Sequence, residues 1–221
     1  MQTPAGFTIE GGRAVLTGFM EAAVNHSTMQ RFLHTIVGAW ISGSLFLAGI
    51  ASWYLIKKRD TEYAKPILRI SLLVFIITAF AQFGTGHMHA VQVGKTQPVK
   101  MAAIEGLWET KAGAPLSVWG FPVQSEKKTY FEIGIPKLLS FMIYGDTEAT
   151  VQGLNDFPDD THPPVFLTFQ TYHVMIGLGS LFALLAAVAV LLLYKKRLYD
   201  TTWYHKILLA SVPLPLISNE M

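Results

Sequence analysis

There is no cysteine anywhere in the 221 residues, which excludes a disulfide framework, thiolate metal sites, iron–sulfur ligation and covalent haem attachment through a C-x-x-C-H motif. Any bound metal must be held by histidine, methionine or carboxylate. Charge is scarce: 14% of residues are Asp, Glu, Lys or Arg against 51% hydrophobic, and the mean hydropathy is positive, which argues against an ordinary water-soluble domain. An excess of one sign is lacking too, since 17 basic and 15 acidic side chains leave a formal charge of +2. The basic residues fall in short clusters beside apolar runs and not on one face, which argues against nucleic acid as a partner. The opening segment, Met1 to Gly12, has neither a basic n-region nor an apolar core and is not a signal peptide, so membrane insertion relies on internal helices. No internal repeat, low-complexity tract or pair of broken helices of the kind that marks many transporters is present.

What the chain does contain is long apolar runs. From Phe32 to Ile56 the only ionisable group apart from tyrosine is His34, and at about 1.5 Å per residue the run crosses a roughly 30 Å hydrocarbon layer. Asn25, Ser27 and Thr28 are suited to cap its start, and Lys57, Lys58 and Arg59 close its end. A second run, from about Ile67 to Phe83, follows the short turn Asp60 to Lys65. A third, Val165 to Tyr194, ends in Lys195, Lys196 and Arg197, and a fourth begins near Trp203. The expected architecture is an all-α integral membrane protein with about four transmembrane helices and a long irregular loop between the second and third. The basic clusters after the first and third runs face the cytoplasm by the positive-inside rule, which places the N-terminus and the long loop on the outer face. This divides the chain into an outer-face N-terminal segment (1–30), a transmembrane hairpin (31–86), an outer-face domain (87–164) with one or two short surface helices such as Pro98 to Thr110, and a second hairpin (165–221) whose last helix looks truncated.

His34 and Met175 fall in the outer halves of the first and third spans. An intramembrane ionisable side chain is a functional candidate, and histidine with methionine is an axial arrangement for haem iron in which the thioether raises the potential. Interface hydrogen bonding for His34 and simple packing for Met175 are the bland alternatives. His173, two residues before Met175, points about 200° away around the helix; it suits a propionate partner or a satisfied interface histidine. Small residues near His34 (Gly38, Ser42, Gly43, Ser44) and near Met175 (Gly177, Gly179) leave gaps that a flat macrocycle or a packed helix would fill. Lys100 and Glu105 lie five residues apart on a segment near the membrane surface. A quinol headgroup needs a hydrogen-bond partner and a carboxylate able to take a proton, which this pair offers; a solvated amphipathic helix with a surface ion pair has the same spacing. His87 and His89 make only a weak His-x-His metal signal with no third ligand nearby.

The stretch QPVKMAAIEGLWET, Gln97 to Thr110, resembles the start of the quinol-binding Q-loop of cytochrome bd-type quinol oxidase subunit I. MQRFLHTIVGAW (Met29 to Trp40) resembles that family's helix carrying the histidine of the low-spin haem, and YHVMIGLG (Tyr172 to Gly179) the helix carrying its methionine. WGFP, GIP, VPLP and the initial MQTPAG fit in the same order, so the resemblance covers essentially the whole chain. It implies axial ligation of low-spin haem b by His34 and Met175, quinol oxidation at Lys100 and Glu105, and a position, often arginine in the family, that is His173 here. It further implies a bacterial inner-membrane location with the Q-loop outside, subunit II as partner, ubiquinol or menaquinol as substrate, and delivery of electrons toward oxygen in a respiratory chain. The short connection from Gly153 to Pro164 resembles the short-loop branch.

The family's earlier helices supply the histidine of high-spin haem b and acids of the proton path, and later helices complete the haem d pocket; Glu220 matches one late acid. High-spin haem b and haem d are therefore expected only in a complete subunit, and the chain is expected to be a fragment, a split-gene product or an incomplete sequence unable to reduce oxygen alone. The contrasting expectation is a non-catalytic, haem-free assembly or interaction protein derived from an oxidase.

Overall fold

Apolar residues at i, i+4, i+7 and i+11 line one face of each of two long helices in the computed structural model, which describes residues 3–220. The elements run β1 (Phe7–Glu10), β2 (Arg13–Leu16), α1 (Phe19–Ala23), α2 (Thr28–Ile56), α3 (Thr61–Thr96), α4 (Pro98–Glu105), β3 (Lys111–Ala112), β4 (Leu116–Val123), β5 (Lys128–Ile135), α5 (Leu138–Tyr144), β6 (Thr150–Val151), α6 (Val165–Tyr194), α7 (Thr202–Ala210) and α8 (Leu214–Glu220). Two compact units result, one from residues 34–85 and 174–221, the other from 1–33 and 86–173.

In the first unit, Ile41, Leu45 and Ala48 of α2, Leu68, Leu72, Phe75 and Ala79 of α3, and Phe182, Ala186 and Ala189 of α6 form one buried core. This is the stripe spacing expected of packed helices. The opposite faces stay apolar: Trp40, Ile70, Ile77 and Leu184 are exposed. Helices that are hydrophobic all round suit a surrounding of lipid. Buried hydroxyls are satisfied within their own helices, as Ser44, Ser71 and Thr78 donate to the carbonyls of Trp40, Ile67 and Val74. Hydrocarbon offers no other partner, so this is the cheap solution. Gly49 lets the end of α7 close onto α2, because a Cβ there would lie 2.2 Å from Val212 Cγ2.

Among the described residues, three helices are long and apolar enough to cross a membrane, against about four expected. The fourth apolar stretch is broken into α7 and α8, of 9 and 7 residues, each covering less than half of a roughly 30 Å layer. Pro213 and Pro215 are the cause, since each lacks an amide donor and crowds the preceding turn. The second span is longer than expected. Helix α3 continues through His87 and His89 to Thr96, because after Pro66 in its first turns no proline follows before Pro98, and Gln97, the residue preceding that proline, is pushed out of helical geometry. On a helix, His87 and His89 point about 200° apart, so they do not form a chelating pair; among the described residues no group of three potential metal ligands occurs.

The other unit corrects the all-α expectation. It holds three two-stranded antiparallel sheets: β1 with β2, β3 with β6, and β4 with β5. The β1–β2 turn is Gly11-Gly12, both at positive φ, as a tight hairpin turn requires. Helix α4 begins with Pro98 and ends at Gly106, whose φ of 61° reverses the chain so that Leu107 N–H donates to Ala102 O at 2.9 Å. A Cβ at Gly106 would lie 2.9 Å from Thr129 Oγ1 and 3.1 Å from Phe169 Cδ2. Gly106→Val is therefore expected to cost roughly 1–3 kcal/mol in backbone strain alone, read as a lowered thermal midpoint of the purified protein.

Candidate functional site

Helix α4 is not the solvated amphipathic helix that its spacing also allowed. Met101, Ala102, Ala103, Ile104 and Glu105 are all buried, and Glu105 is only 2% exposed. Thr129 Oγ donates to Gly106 O at 2.7 Å and accepts from Trp108 Nε1 at 3.1 Å, which pins the end of α4 to strand β5. Strand β4 then presents Ser117 to the glutamate. Ser117 N–H donates to Glu105 Oε2 at 2.8 Å, and its hydroxyl donates to Glu105 O at 2.8 Å. The other carboxyl oxygen, Oε1, is buried with no hydrogen-bond partner among the described residues.

Burial pushes the Glu105 carboxyl up to about 8; the Ser117 amide opposes this and the nearby Glu132 carboxylate adds to it. An unpaired buried carboxyl prefers to be neutral, so this group holds a proton near neutrality and releases or takes it with little free-energy change. Glu105 lines a cleft together with His87 and Tyr172, the remaining walls being apolar side chains such as Met101, Leu116 and Leu139. Lys100 sits on the exposed side of α4, and partial burial, with the Arg31 guanidinium near, lowers its ammonium below the usual range. Among the described residues no ion pair joins Lys100 to Glu105.

His173 is tied to the same strand. Its Nε2 lies 3.0 Å from Ser117 O and its Nδ1 2.8 Å from Phe169 O, and its ring stacks on Phe169 at 3.9 Å between centroids. Both ring nitrogens face carbonyls, and a neutral imidazole donates to only one of them. Ser117 thus bridges Glu105 and His173. Neither Ser117 nor Tyr172 had a signal in the sequence, since their roles depend on strand β4 and helix α6 meeting α4.

The other pair lies in the helical unit. His34 is half-buried on α2, with Nδ1 3.3 Å from Thr85 Oγ1 and Nε2 3.3 Å from Gln82 Nε2, both on α3. An amide nitrogen can only donate, so Nε2 presents its lone pair there, the form a metal ligand needs. Met175 is half-buried on α6. Beyond it, Gly177 and Gly179 border open space, as do Gly43 on α2 and Gly84 on α3: a Cβ at any of the four would meet nothing within 4 Å. An imidazole and a thioether are donor types that haem iron takes.

A family model for cytochrome bd terminal oxidase subunit I matches residues 1–221. The chain is 32% identical over 231 residues to cytochrome bd ubiquinol oxidase subunit 1 of Bacillus subtilis, covering 100% of this chain and 49% of that protein. It is 25% identical over 288 residues to cytochrome bd-II ubiquinol oxidase subunit 1 of Escherichia coli, covering 100% of this chain and 56% of that one. Among solved structures it resembles the bd oxidase from Geobacillus thermodenitrificans with a TM-score of 0.89 and 27% identity, over 98% of this chain and 50% of that one. The chain spans about half the length of the curated relatives it matches. With three membrane-length helices, a folded loop between the second and third, and a family match from end to end, the chain belongs to the cytochrome bd terminal oxidase subunit I family.

Proposed function

We propose that this chain is the quinol-oxidising, low-spin haem b-binding part of a cytochrome bd-type quinol:oxygen oxidoreductase, working with subunit II in the bacterial inner membrane with its loop on the outer face. The observation that carries this reading is Glu105: a fully buried carboxyl, one oxygen unpartnered, lining an apolar cleft. In its ionised form, which grows as pH rises toward about 8, such a group accepts the hydroxyl proton of a neutral, ring-shaped donor. Quinol loses two protons and two electrons to become quinone. Glu105 takes a proton at Oε1, Ser117 holds Oε2 in place, and Lys100 supplies a cation at the exposed end of α4.

His34 and Met175 would hold the low-spin haem, which would supply one-electron redox chemistry between quinol and oxygen. His34 is oriented through Gln82 and Thr85, the kind of outer contact that sets ring tautomer and angle. Haem content tests the reading against a non-catalytic one: the chain isolated with its partners is expected to show Soret absorbance and quinol-driven reduction, and a colourless preparation would favour the haem-free alternative.

Glu132 offers a further check. Its carboxylate helps hold Glu105 in the neutral form, so Glu132→Gln is expected to bring the ionisation of Glu105 down and move the alkaline rise in quinol oxidation toward lower pH. The pH–rate profile of that variant measures the shift.

A further inference from the structure

A proton received by Glu105 has to leave before the next quinol can react, and the Glu105 carboxyl is itself sealed from water. Strand β5 brings a second carboxylate to the serine that holds it. Ser117 donates its backbone N–H to Glu105 Oε2 at 2.8 Å, and its hydroxyl faces Glu132 Oε1 at 3.4 Å. One residue thus touches both carboxyl groups. Glu132, unlike Glu105, is exposed.

The backbone is bent to put Glu132 there. Trp119 pairs with Ile133 and Phe121 with Tyr130, so Phe131 and Glu132 together stand opposite Gly120. An extra residue of this kind is a bulge, which re-aims the side chains around it. Phe131 takes the strain, with a φ of 51°, and its ring is 81% exposed, so it gains no burial from the conformation. Gly120 makes room on the facing strand: a Cβ there would lie 2.8 Å from Thr129 Cγ2 and 3.6 Å from Glu132 Cα. A strained backbone held beside a buried ionisable group is the pattern of a functional constraint.

We propose that Glu132 is the proton exit of this site, taking the proton from Glu105 and giving it to water on the side of the membrane that the loop faces. The O–H bond of Glu105 breaks, an O–H bond on Glu132 forms, and the proton then passes to water; no electron moves in this step. Two carboxyl groups held on one serine are within the reach of a transfer made directly or through one water. Of the other titratable side chains around this junction, His173 is turned to the carbonyls of Ser117 and Phe169, and His87 and Tyr172 line the cleft. Glu132 is the carboxylate that joins the junction to water. This assignment rests on the quinol reading given above and adds the step that returns Glu105 to its accepting form.

The test uses the assembled, membrane-extracted oxidase containing this chain, with Glu132→Gln, Glu132→Asp and Glu105→Gln variants whose dithionite-reduced spectra verify that the haems are in place. The oxidised protein is mixed without oxygen with a short-tailed ubiquinol in weakly buffered solution, and a pH-indicator dye follows the protons while haem absorbance follows the electrons. Glu132→Gln is expected to slow proton appearance about tenfold, within the span of a lost proton-transfer group, with KM for quinol unchanged. Glu132→Asp, which keeps a carboxylate, is expected to restore most of the rate. The electrostatic effect of Glu132 cannot mimic this result: removing its charge favours the ionised form of Glu105 and so promotes proton loss. Proton appearance within twofold of the unmodified protein in Glu132→Gln overturns the assignment, as does an aspartate variant no faster than the glutamine one. If Glu105→Gln abolishes quinol-driven haem reduction while Glu132→Gln releases protons normally, only the exit role is lost. If Glu105→Gln also reduces haem at the normal rate, the quinol reading itself falls.

Discussion

Glu105→Gln is expected to lower quinol turnover about a hundredfold or more, the usual span for losing a positioned general base, while leaving haem content and the reduced spectrum intact. Glutamine keeps the shape and can still accept from Ser117 N–H through its carbonyl oxygen, so the fold of α4 and β4 survives and the missing function is proton acceptance alone. In the unmodified protein the carboxyl sits at about 8 against an ordinary 4.5, so the ionised, proton-accepting form grows as pH climbs toward 8. Turnover should rise over that range, and the glutamine variant should lose the rise. Stability runs the other way. A carboxyl whose folded value is raised binds more protons folded than unfolded, so its contribution is fully present below 4.5 and lost as pH rises through about 8. The thermal midpoint of the unmodified protein should therefore decline from pH 5 to pH 9 more steeply than that of Glu105→Gln, and steady-state turnover with differential scanning calorimetry reads both effects.

Met175→Leu is expected to abolish the low-spin character of the haem proposed to sit between His34 and Met175, because leucine matches methionine in bulk but has no lone pair. The midpoint potential should fall by on the order of 100 mV or more, within the roughly 0.8 V that axial ligation spans, and quinol-driven reduction should slow accordingly. His34→Ala should go further and empty the site, since the imidazole is the stronger ligand. Redox titration followed in the visible spectrum distinguishes the two. An unaltered low-spin band in Met175→Leu would assign the thioether to packing in α6.

Helices α2 and α6 were legible in the sequence because their apolar runs are unbroken and end in basic clusters. Their packing stripes follow from the same residues, Leu45 and Ala48 on one, Phe182 and Ala186 on the other. The length of α3 was not legible, since Gly84, Gly86 and Gly94 read as breakers although packing tolerates them. In the last stretch the opposite error arises: hydrophobicity suggested a span where Pro213 and Pro215 interrupt the backbone. The hairpin of β4 and β5 was obscured by Gly120, Pro122 and Gly134, which interrupt the alternation that marks a strand.

The candidate site divides in the same way. Glu105 and Lys100 are neighbours on one helix and could be named from local pattern. Ser117 acts on Glu105 from 12 residues away, and His173 reaches Ser117 from 56 away, contacts that exist only once β4 has packed against α4 and α6. The burial that changes the chemistry of Glu105 is likewise a tertiary property. A Lys and Glu five apart say nothing of which one faces water, and here it is the lysine that does.

The most direct measurement of the proposed chemistry is a pH titration of the carboxyl infrared bands of the intact protein, compared with Glu105→Gln. A protonated carboxyl band that persists at neutral pH, disappears with a midpoint near 8 and is missing from the glutamine variant is the predicted result. A spectrum in which substitution of Glu105 removes only a group that titrates near 4.5 would contradict it.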